Sequence, residues 1–548
     1  MKTLNSPVYL RSDVYFEPLF NKWFMWPYLL SPAGAAMNLS NQHIRLMKSF
    51  VANAKIHAKS AKKKAMAGSS LVNIPLEKVD DIKALLAHTR EEYADLIEFS
   101  DAIKALDELL RNEAKGMSLE PYYEKIPAPL RGLVELHYDL NNQPSFRFIE
   151  SLLYHSDIYK PQAQTVCLGN LPSDERPFVL STPRLPDENH LHINVPFNHE
   201  FVSTLFAMRD EPKPMDEIKA MLSELGDEGV LEGELDFDSL FTTEAPKRPE
   251  PYTGDDVQVR YLGHAGVMVQ TAQTTLMVDP VIAYSNDDET NKTTFDDLPA
   301  SIDYVMVTHT HMDHVCLETL IQLKHKIKTI LVPKSNSGIL ADPSIKLMLE
   351  AIGFKNVIEM EDLQSIDYAD GHLIALPFLG EHADVNIRSK AAWMIDIRGQ
   401  RIMVAADSSN LDEQLYARMQ KLVGDVDVLF IGMECTGGPL RWLYGSLLTQ
   451  PIPREMNESR RFNGSDYVAA AYMAKTFSAK QVYVYALGIE PWFGYFMGIS
   501  YNEDDIQLVE SQKLVDDCLS KGVPSERLQG LKVLSLPSRE QNQKKVLF

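Results

Sequence analysis

The sequence predicts an α/β protein: a C-terminal sandwich of two sheets with helices outside, preceded by a mixed α/β N-terminal domain. Three observations carry this. After residue 256, short strands with tight turns give way to alternating strands and helices. A proline-rich, charged stretch without periodicity, Glu244 to Asp256, separates that regular part from a chain of different texture. One apolar strand, Tyr304 to Val307, ends in a dense cluster of histidine and aspartate. The expected division is an N-terminal α/β domain over 1–245, a linker over 246–256 and a catalytic domain over 257–548.

Composition bounds the function classes before any motif is read. With 548 residues, 45% hydrophobic and 24% charged, the chain is too long for one core and ordinary for a globular protein. Its formal charge of −22 argues against nucleic acid as the main partner, because binding a phosphate backbone needs a basic surface. Met1 to Tyr28 carries Arg11, Asp13, Glu17 and Lys22, so it offers no signal-peptide core and no membrane span. A cytoplasmic location is expected. The cysteines, Cys167, Cys316, Cys435 and Cys518, are scattered, which suits a reducing compartment and gives no thiolate zinc site.

In the N-terminal part, Tyr15 to Leu30 is rich in aromatics and must pack against something large, either its own domain or a second subunit. From Asn41 to Arg111, apolar residues recur at spacings of three and four, so this stretch is mainly amphipathic helix. The one dense basic patch, Lys55, Lys59, Lys62, Lys63 and Lys64, reads first as a solvated helix face, with docking of an acidic partner as the functional alternative. Leu191 to Val195 alternates as a half-buried strand, which puts His190 and His192 on a strand edge; nothing nearby completes a metal ligand set for them.

The C-terminal part opens with two strands, Val257–Leu262 and Gly266–Gln270, around Gly263-His264-Ala265. A third, Thr274 to Val278, ends at Asp279-Pro280. Strand and helix then alternate through Leu317–His325, Thr329–Val332, Ile345–Ile352 and Val357–Met360. Between them lies Val307-Thr308-His309-Thr310-His311-Met312-Asp313-His314. His309 and His311, two apart, can point the same way from an extended loop, while Asp313 and His314 turn the other way at the start of the next helix. One loop can therefore feed two adjacent metal ions.

The order strand, Gly-His turn, strand, Asp-Pro, His-x-His-x-Asp-His resembles the metallo-β-lactamase superfamily, whose fold is an αββα sandwich. In the usual dizinc pattern of that superfamily a later Gly-His supplies a third histidine, a strand-end Asp bridges the metals and a final His completes the second site. Here the Gly-His slot reads Gly380-Glu381, so a carboxylate occupies it, and His382 comes one residue late, turned away if the segment is extended. Asp407, at the end of an apolar strand, matches the bridging position. None of the 15 histidines lies after His382, so the usual final histidine is missing. Glu434, emerging from the buried strand Val428 to Met433, is the leading replacement, and Glu490 the reserve. His264 is expected to support the metal loop rather than bind metal.

Three imidazoles, His309, His311 and His314, thus face Asp313, Glu381, Asp407 and Glu434. Zinc accepts such ligands, but anionic oxygen favours oxidisable iron. This departure resembles the diiron β-hydroxylases of metallo-β-lactamase fold found in chloramphenicol biosynthesis, in which a large N-terminal domain precedes the metal domain. The resemblance implies two iron ions, oxo- or hydroxo-bridged, with O2 as co-substrate. His309, His311 and Glu381 would hold one iron and Asp313 and His314 the other, with Asp407 bridging and Glu434 near the second; Glu381 and Glu434 are the candidate catalytic carboxylates.

The implied reaction is hydroxylation at the β-carbon of an amino acid held as a thioester on an acidic carrier-protein domain of a nonribosomal peptide synthetase. An external reductase would supply electrons. A homodimer is implied, which would give Tyr15 to Tyr28 a use. Arg441, Trp442, Tyr444, Trp492, Phe493, Tyr495 and Phe496 are candidate channel-lining residues. The alternatives are a dizinc hydrolase of a thioester, lactone or phosphodiester, and a metal-stabilised scaffold protein.

Overall fold

Two seven-stranded sheets form the centre of the C-terminal part in the computed structural model, which describes residues 6–170, 173–226, 230–286 and 291–539. The first runs, in spatial order, Val357–Met360, Ile327–Pro333, Ile302–Met306, Thr275–Val278, Gly266–Gln270, Val257–Gly263 and Lys532–Leu536. The second runs Ser365–Tyr368, Gly371–Leu376, Ala392–Ile397, Gln400–Val404, Val428–Gly432, Gln481–Tyr485 and Ser525–Arg527. Each sheet mixes antiparallel hairpins with parallel strands whose crossovers contain helices, as the sequence texture predicts.

Side chains alternate across each strand, so both faces of both sheets must be covered. The inner faces bury Val257, Tyr261, Val267, Trp393, Ile395, Phe430 and Tyr485 against one another. The outer face of the second sheet is covered by the helices Glu413–Val423, Tyr467–Thr476 and Ile506–Ser520. The outer face of the first carries Leu317–Leu323 and Ile345–Ala351, and here the core does not stop: it continues into the N-terminal part as one hydrophobic cluster.

The N-terminal part holds a five-stranded sheet, ordered Trp23–Phe24, Val14–Phe20, Gln164–Asn170, His190–Asn194 and Leu231–Glu232, and the helices Ile44–Ser60, Val79–Glu92 and Ala94–Glu113. Two expectations change here. His190 and His192 are not on an edge, since their strand pairs on both sides; His192 is fully buried against its neighbours, where burial holds its imidazole down at about 3. Val14 to Leu30, apart from the partly exposed Lys22, is buried within its own chain, so its aromatic residues offer no free face to a second subunit. Among the described residues no helix is long and apolar enough to cross a membrane.

Candidate metal centre

The Ile302–Met306 strand delivers the histidine loop to the end of the first sheet, and the loop is clamped from both sheets. Thr308 N–H donates to Asp279 Oδ1 at 2.8 Å, and Thr308 C=O accepts from Ala391 N–H at 2.7 Å. Trp393, buried between the sheets, donates its indole N–H to Val307 C=O at 3.0 Å. Residues 309–316 form a turn-rich loop, and the next helix begins only at Leu317. Asp313 and His314 therefore sit in the turn ahead of the helix, a correction to their expected place at its start.

Six non-glycine residues around this point adopt left-handed backbone: His264, Asp279, Glu381, Ala383, Asp384 and Ala406. Each such residue costs about 1–3 kcal/mol and persists only where its surroundings hold it. Gly432 shows how tight the packing is: a Cβ there would lie 2.3 Å from Asp407 Oδ1.

The structure brings most of the predicted ligands together in three overlapping groups: His309, His311, Glu381 and His382; His264, Asp313 and His314; and His309, His314 and Asp407. His309 Nε2 lies 3.6 Å from Glu381 Oε2 and 3.9 Å from Asp407 Oδ2. His314 Nε2 is 3.0 Å from Asp407 Oδ2 and 3.6 Å from Asp313 Oδ2. His311 Nδ1 is 2.5 Å from Glu381 Oε1. Asp407 thus stands between the two groups of histidines.

The donor atoms look inward at one another rather than at partners of their own. His309 Nε2, Glu381 Oε2, Asp407 Oδ1 and His382 Nε2 are all buried without a hydrogen bond, an arrangement that is costly unless something binds them. Burial pushes the Glu381 carboxyl up to about 7, His311 pulling it down and Asp407 and Asp313 pushing it further up. Burial and the neighbouring imidazoles hold His309 well below its ordinary value, which keeps Nε2 a lone-pair donor. A pair of divalent cations would relieve both effects, so the nitrogen and oxygen donors fit a two-metal centre.

Other predicted residues are redistributed. Glu434 lies outside the three groups, on the wall of the cavity beside them. Burial, with Asp407, Asp313 and Glu381 adding repulsion, raises its carboxyl to about 8. Glu490, the reserve candidate, lies outside the three groups: its Oε1 accepts from the His264 backbone N–H at 2.9 Å and from the Tyr261 hydroxyl. His264 is held by Glu490 and extends Nε2 to 3.0 Å from Asp313 Oδ2, where it can support or join the ligand set.

His382 is not turned away. Because Gly380, Glu381, Ala383 and Asp384 are left-handed, the segment is coiled, and His382 stacks on His311 at 4.6 Å. Asp279, at a strand end before Pro280, accepts from His314 Nδ1 at 2.7 Å, and that strand-end position is the sequence signal for its role.

The cavity, about 180 Å³, is lined by His311, Asp313, Glu381, Asp407, Glu434 and Trp442, with Met312, Leu443, Phe462, Met497 and Ile499 as its apolar wall. Ala67 and Gly68 of the N-terminal part also line it. Gly68 can do so only as glycine, since a Cβ there would lie 2.6 Å from Gly498 C=O. Of the expected channel residues only Trp442 lines this cavity. Phe493 packs on His264, Trp492 on Phe493, Tyr495 reaches Glu318 and Phe496 packs on Phe24, while Arg441 is exposed. Tyr444 instead holds His311 Nε2 at 2.9 Å.

Comparison with known proteins agrees with this geometry. Residues 9–246 match the diiron non-heme β-hydroxylase N-terminal domain, and residues 274–438 match the β-lactamase superfamily domain. The chain is 35% identical over 534 residues to the 4-amino-L-phenylalanyl-[CmlP-peptidyl-carrier-protein] 3-hydroxylase of Streptomyces venezuelae, covering 96% of this chain and 99% of that one. It is similar to the crystal structure of CmlA, a diiron β-hydroxylase from Streptomyces venezuelae, with a TM-score of 0.89 and 34% identity over 97% of this chain and 100% of that one. A UPF0173 protein of Pyrococcus furiosus is 30% identical over 127 residues, 23% of this chain and half of the relative. Identity at this level along nearly the whole of both chains means that the chain belongs to the diiron non-heme β-hydroxylases of metallo-β-lactamase fold.

Proposed function

We propose that this chain is an O2-dependent monooxygenase that hydroxylates the β-carbon of an amino acid tethered as a thioester to a carrier protein of a nonribosomal peptide synthetase. The observation that carries this is Glu381: a buried carboxylate fills the third-imidazole slot of a metallo-β-lactamase site and faces His309 and His311. An oxygen-rich ligand set suits iron better than zinc hydrolysis, so the dizinc hydrolase reading loses its support. The full-length relative's substrate, a carrier-bound aminoacyl group, supports the thioester.

In this assignment His309, His311 and Glu381 would hold one iron and Asp313 and His314 the other, with Asp407 between the two sets of side chains and Glu434 beside the second. The bound irons supply activation of O2 for attack on a C–H bond. The protein's own part is positioning: Met312, Leu443, Phe462, Met497 and Ile499 hold the amino acid's side chain and exclude water, and Ala67 and Gly68 line the cavity from the N-terminal part. The acidic carrier docks at the lysine-rich turn beside Ala67 and Gly68. Lys62, Lys63 and Lys64 are exposed, and Ala67 N–H bonds back to Lys64 C=O, one turn from the cavity. An external reductase supplies electrons, and the working form is a homodimer whose interface lies away from the buried Tyr15–Tyr28 segment.

Metal analysis with optical spectroscopy of the purified protein tests the reading: two irons per chain with visible absorption are expected, and stoichiometric zinc without iron would sink it. Glu381→His should shift the site toward zinc and abolish O2-dependent turnover; retained turnover would show that Glu381 is no ligand. Reversing the charge of Lys62, Lys63 and Lys64 should raise the KM for carrier-bound substrate at least about 10-fold at low salt, and an unchanged KM removes that docking surface.

A further inference from the structure

We propose that residues 460–465 form a strap that positions the metal centre, in which Arg460 and Asn463 are positioning residues that fix the spacing of Glu381, Asp407 and Glu434. The proposal rests on the reading above only in taking those carboxylates as the groups that face metal.

Glu381, Asp407 and Glu434 line one cavity, and like charges so placed push one another apart. All three stand on irregular backbone. Glu381 is left-handed, Asp407 follows the left-handed Ala406, and Glu434 lies in the loop after the strand Val428–Gly432. Loops of this kind keep their place through bonds to neighbouring segments.

One segment supplies such bonds to all three. Asn463 C=O accepts from Glu381 N–H at 3.1 Å, and Gly464 N–H donates to Glu434 C=O at 2.9 Å. Ser465 Oγ donates to the C=O of Ser408, the residue after Asp407, at 2.7 Å. Two side chains brace the same loops. Arg460 Nε donates to Ala383 C=O at 2.8 Å, inside the left-handed run around Glu381, and Asn463 Oδ1 accepts from Gly437 N–H at 3.2 Å in the loop that follows Glu434. Between them Phe462 donates its N–H to Gly438 C=O at 3.0 Å and sets its ring edge-on to His311 at 5.5 Å. The packing leaves no slack: a Cβ on Gly464 would lie 3.2 Å from Asp407 C=O, and one on Gly437 1.8 Å from Phe462 C=O.

The strap is itself held at both ends. Arg460 C=O accepts from Leu440 N–H at 2.8 Å, and beyond Ser465 the Asp466 side chain caps the helix Tyr467–Thr476 by accepting from Ala469 N–H at 2.9 Å. Residues 460–465 lie beyond 274–438, the stretch that matches the β-lactamase superfamily domain. The carboxylate that fills the third-imidazole slot is therefore placed from outside that stretch.

The test uses the full chain: chelator competition for Fe(II) without oxygen, the same competition with Zn(II), and melting of the chelated protein. Arg460→Met keeps the side chain's length and loses the donor; it should weaken Fe(II) binding about 10–100-fold. Asn463→Ala should weaken it about 3–10-fold, and Asn463→Asp, which keeps the Oδ1 acceptor, should restore the parent's affinity. Asn463 is exposed, so both of its variants should melt near the parent after chelation, which separates positioning from folding. Parent affinity in both Arg460→Met and Asn463→Ala overturns the proposal, as does an Asn463→Asp chain that binds no more tightly than Asn463→Ala. A parent that takes zinc and refuses iron overturns the diiron reading; the strap then stands if the same variants weaken zinc binding and falls if they do not.

Discussion

Two clusters of buried charge lie within a few residues of each other along the chain, and they are built to opposite rules. At His309–His314 the imidazoles and carboxylates face inward, with His309 Nε2, Glu381 Oε2, Asp407 Oδ1 and His382 Nε2 left without a hydrogen bond. At Glu318, on the helix that follows, the charges pair off. Arg176 bridges Glu17 at 3.1 Å and Glu318 at 3.0 Å, and stacks on Tyr495 at 3.4 Å. Arg184 pairs with Glu17 and also donates to Thr182 and Pro177 carbonyls. The first cluster is incomplete without a cation. The second pairs every charge with an opposite one, Arg176 Nε being the atom left without a hydrogen bond, and ties the N-terminal part to the sandwich. Buried charge is therefore informative only with its hydrogen-bond inventory.

The largest effect should come from breaking the self-satisfied cluster. Glu17→Ala leaves Arg176 with Glu318 as its one carboxylate partner and the buried Arg184 with the Thr182 and Pro177 carbonyls in place of a carboxylate, and such a break costs about 3–5 kcal/mol. Denaturant unfolding should show that loss with iron stoichiometry unchanged in the folded fraction. A loss under about 1 kcal/mol would mean that the Arg176 bridge does not hold the two parts together.

Acid should attack the same cluster next. Burial pushes Glu17 up, but Arg184 and Arg176 outweigh it and hold the carboxyl at about 2 against an ordinary 4.5. A depressed carboxyl contributes its stability above its unfolded value and loses it as pH falls through the folded one. Up to about 3 kcal/mol should therefore be lost between about pH 4.5 and pH 2, with Glu318, raised by burial, offsetting part. Chemical denaturation across that range checks it: the Glu17→Ala variant should show a flatter pH profile than the parent.

How much of each cluster could be read from the sequence follows from how far apart its members are. His309, His311, Asp313 and His314 are contiguous, and Asp407 and Glu434 end apolar strands, so spacing and strand texture found them. His382 escaped because alternation along an extended segment puts it outside, whereas left-handed residues on both sides turn it in. Tyr444 was found only as an aromatic, since its bond to His311 spans 133 residues. The Arg176 cluster joins residues 142 and 159 apart in sequence, and nothing local marks them as partners. The expected linker at 246–256 is legible from composition, but the shared core that joins the parts across it comes from packing.

The smallest effect is the sharpest contrast. Glu434 lies beside Asp407, Asp313 and Glu381, and among the described residues no Lys or Arg pairs with it. If the ligand cluster is held open for cations, removing one of its like charges should cost the chelated protein nothing. Glu434→Gln should leave the chelated chain as stable as the parent or more stable by up to about 1 kcal/mol at pH 8, while reducing the stabilisation gained on adding Fe(II). Paired melts with chelator and with excess Fe(II) measure both terms. A chelated variant destabilised as strongly as Glu17→Ala would mean that the two clusters follow the same rule after all, and that the carboxylates at the metal centre hold the fold together rather than wait for a ligand.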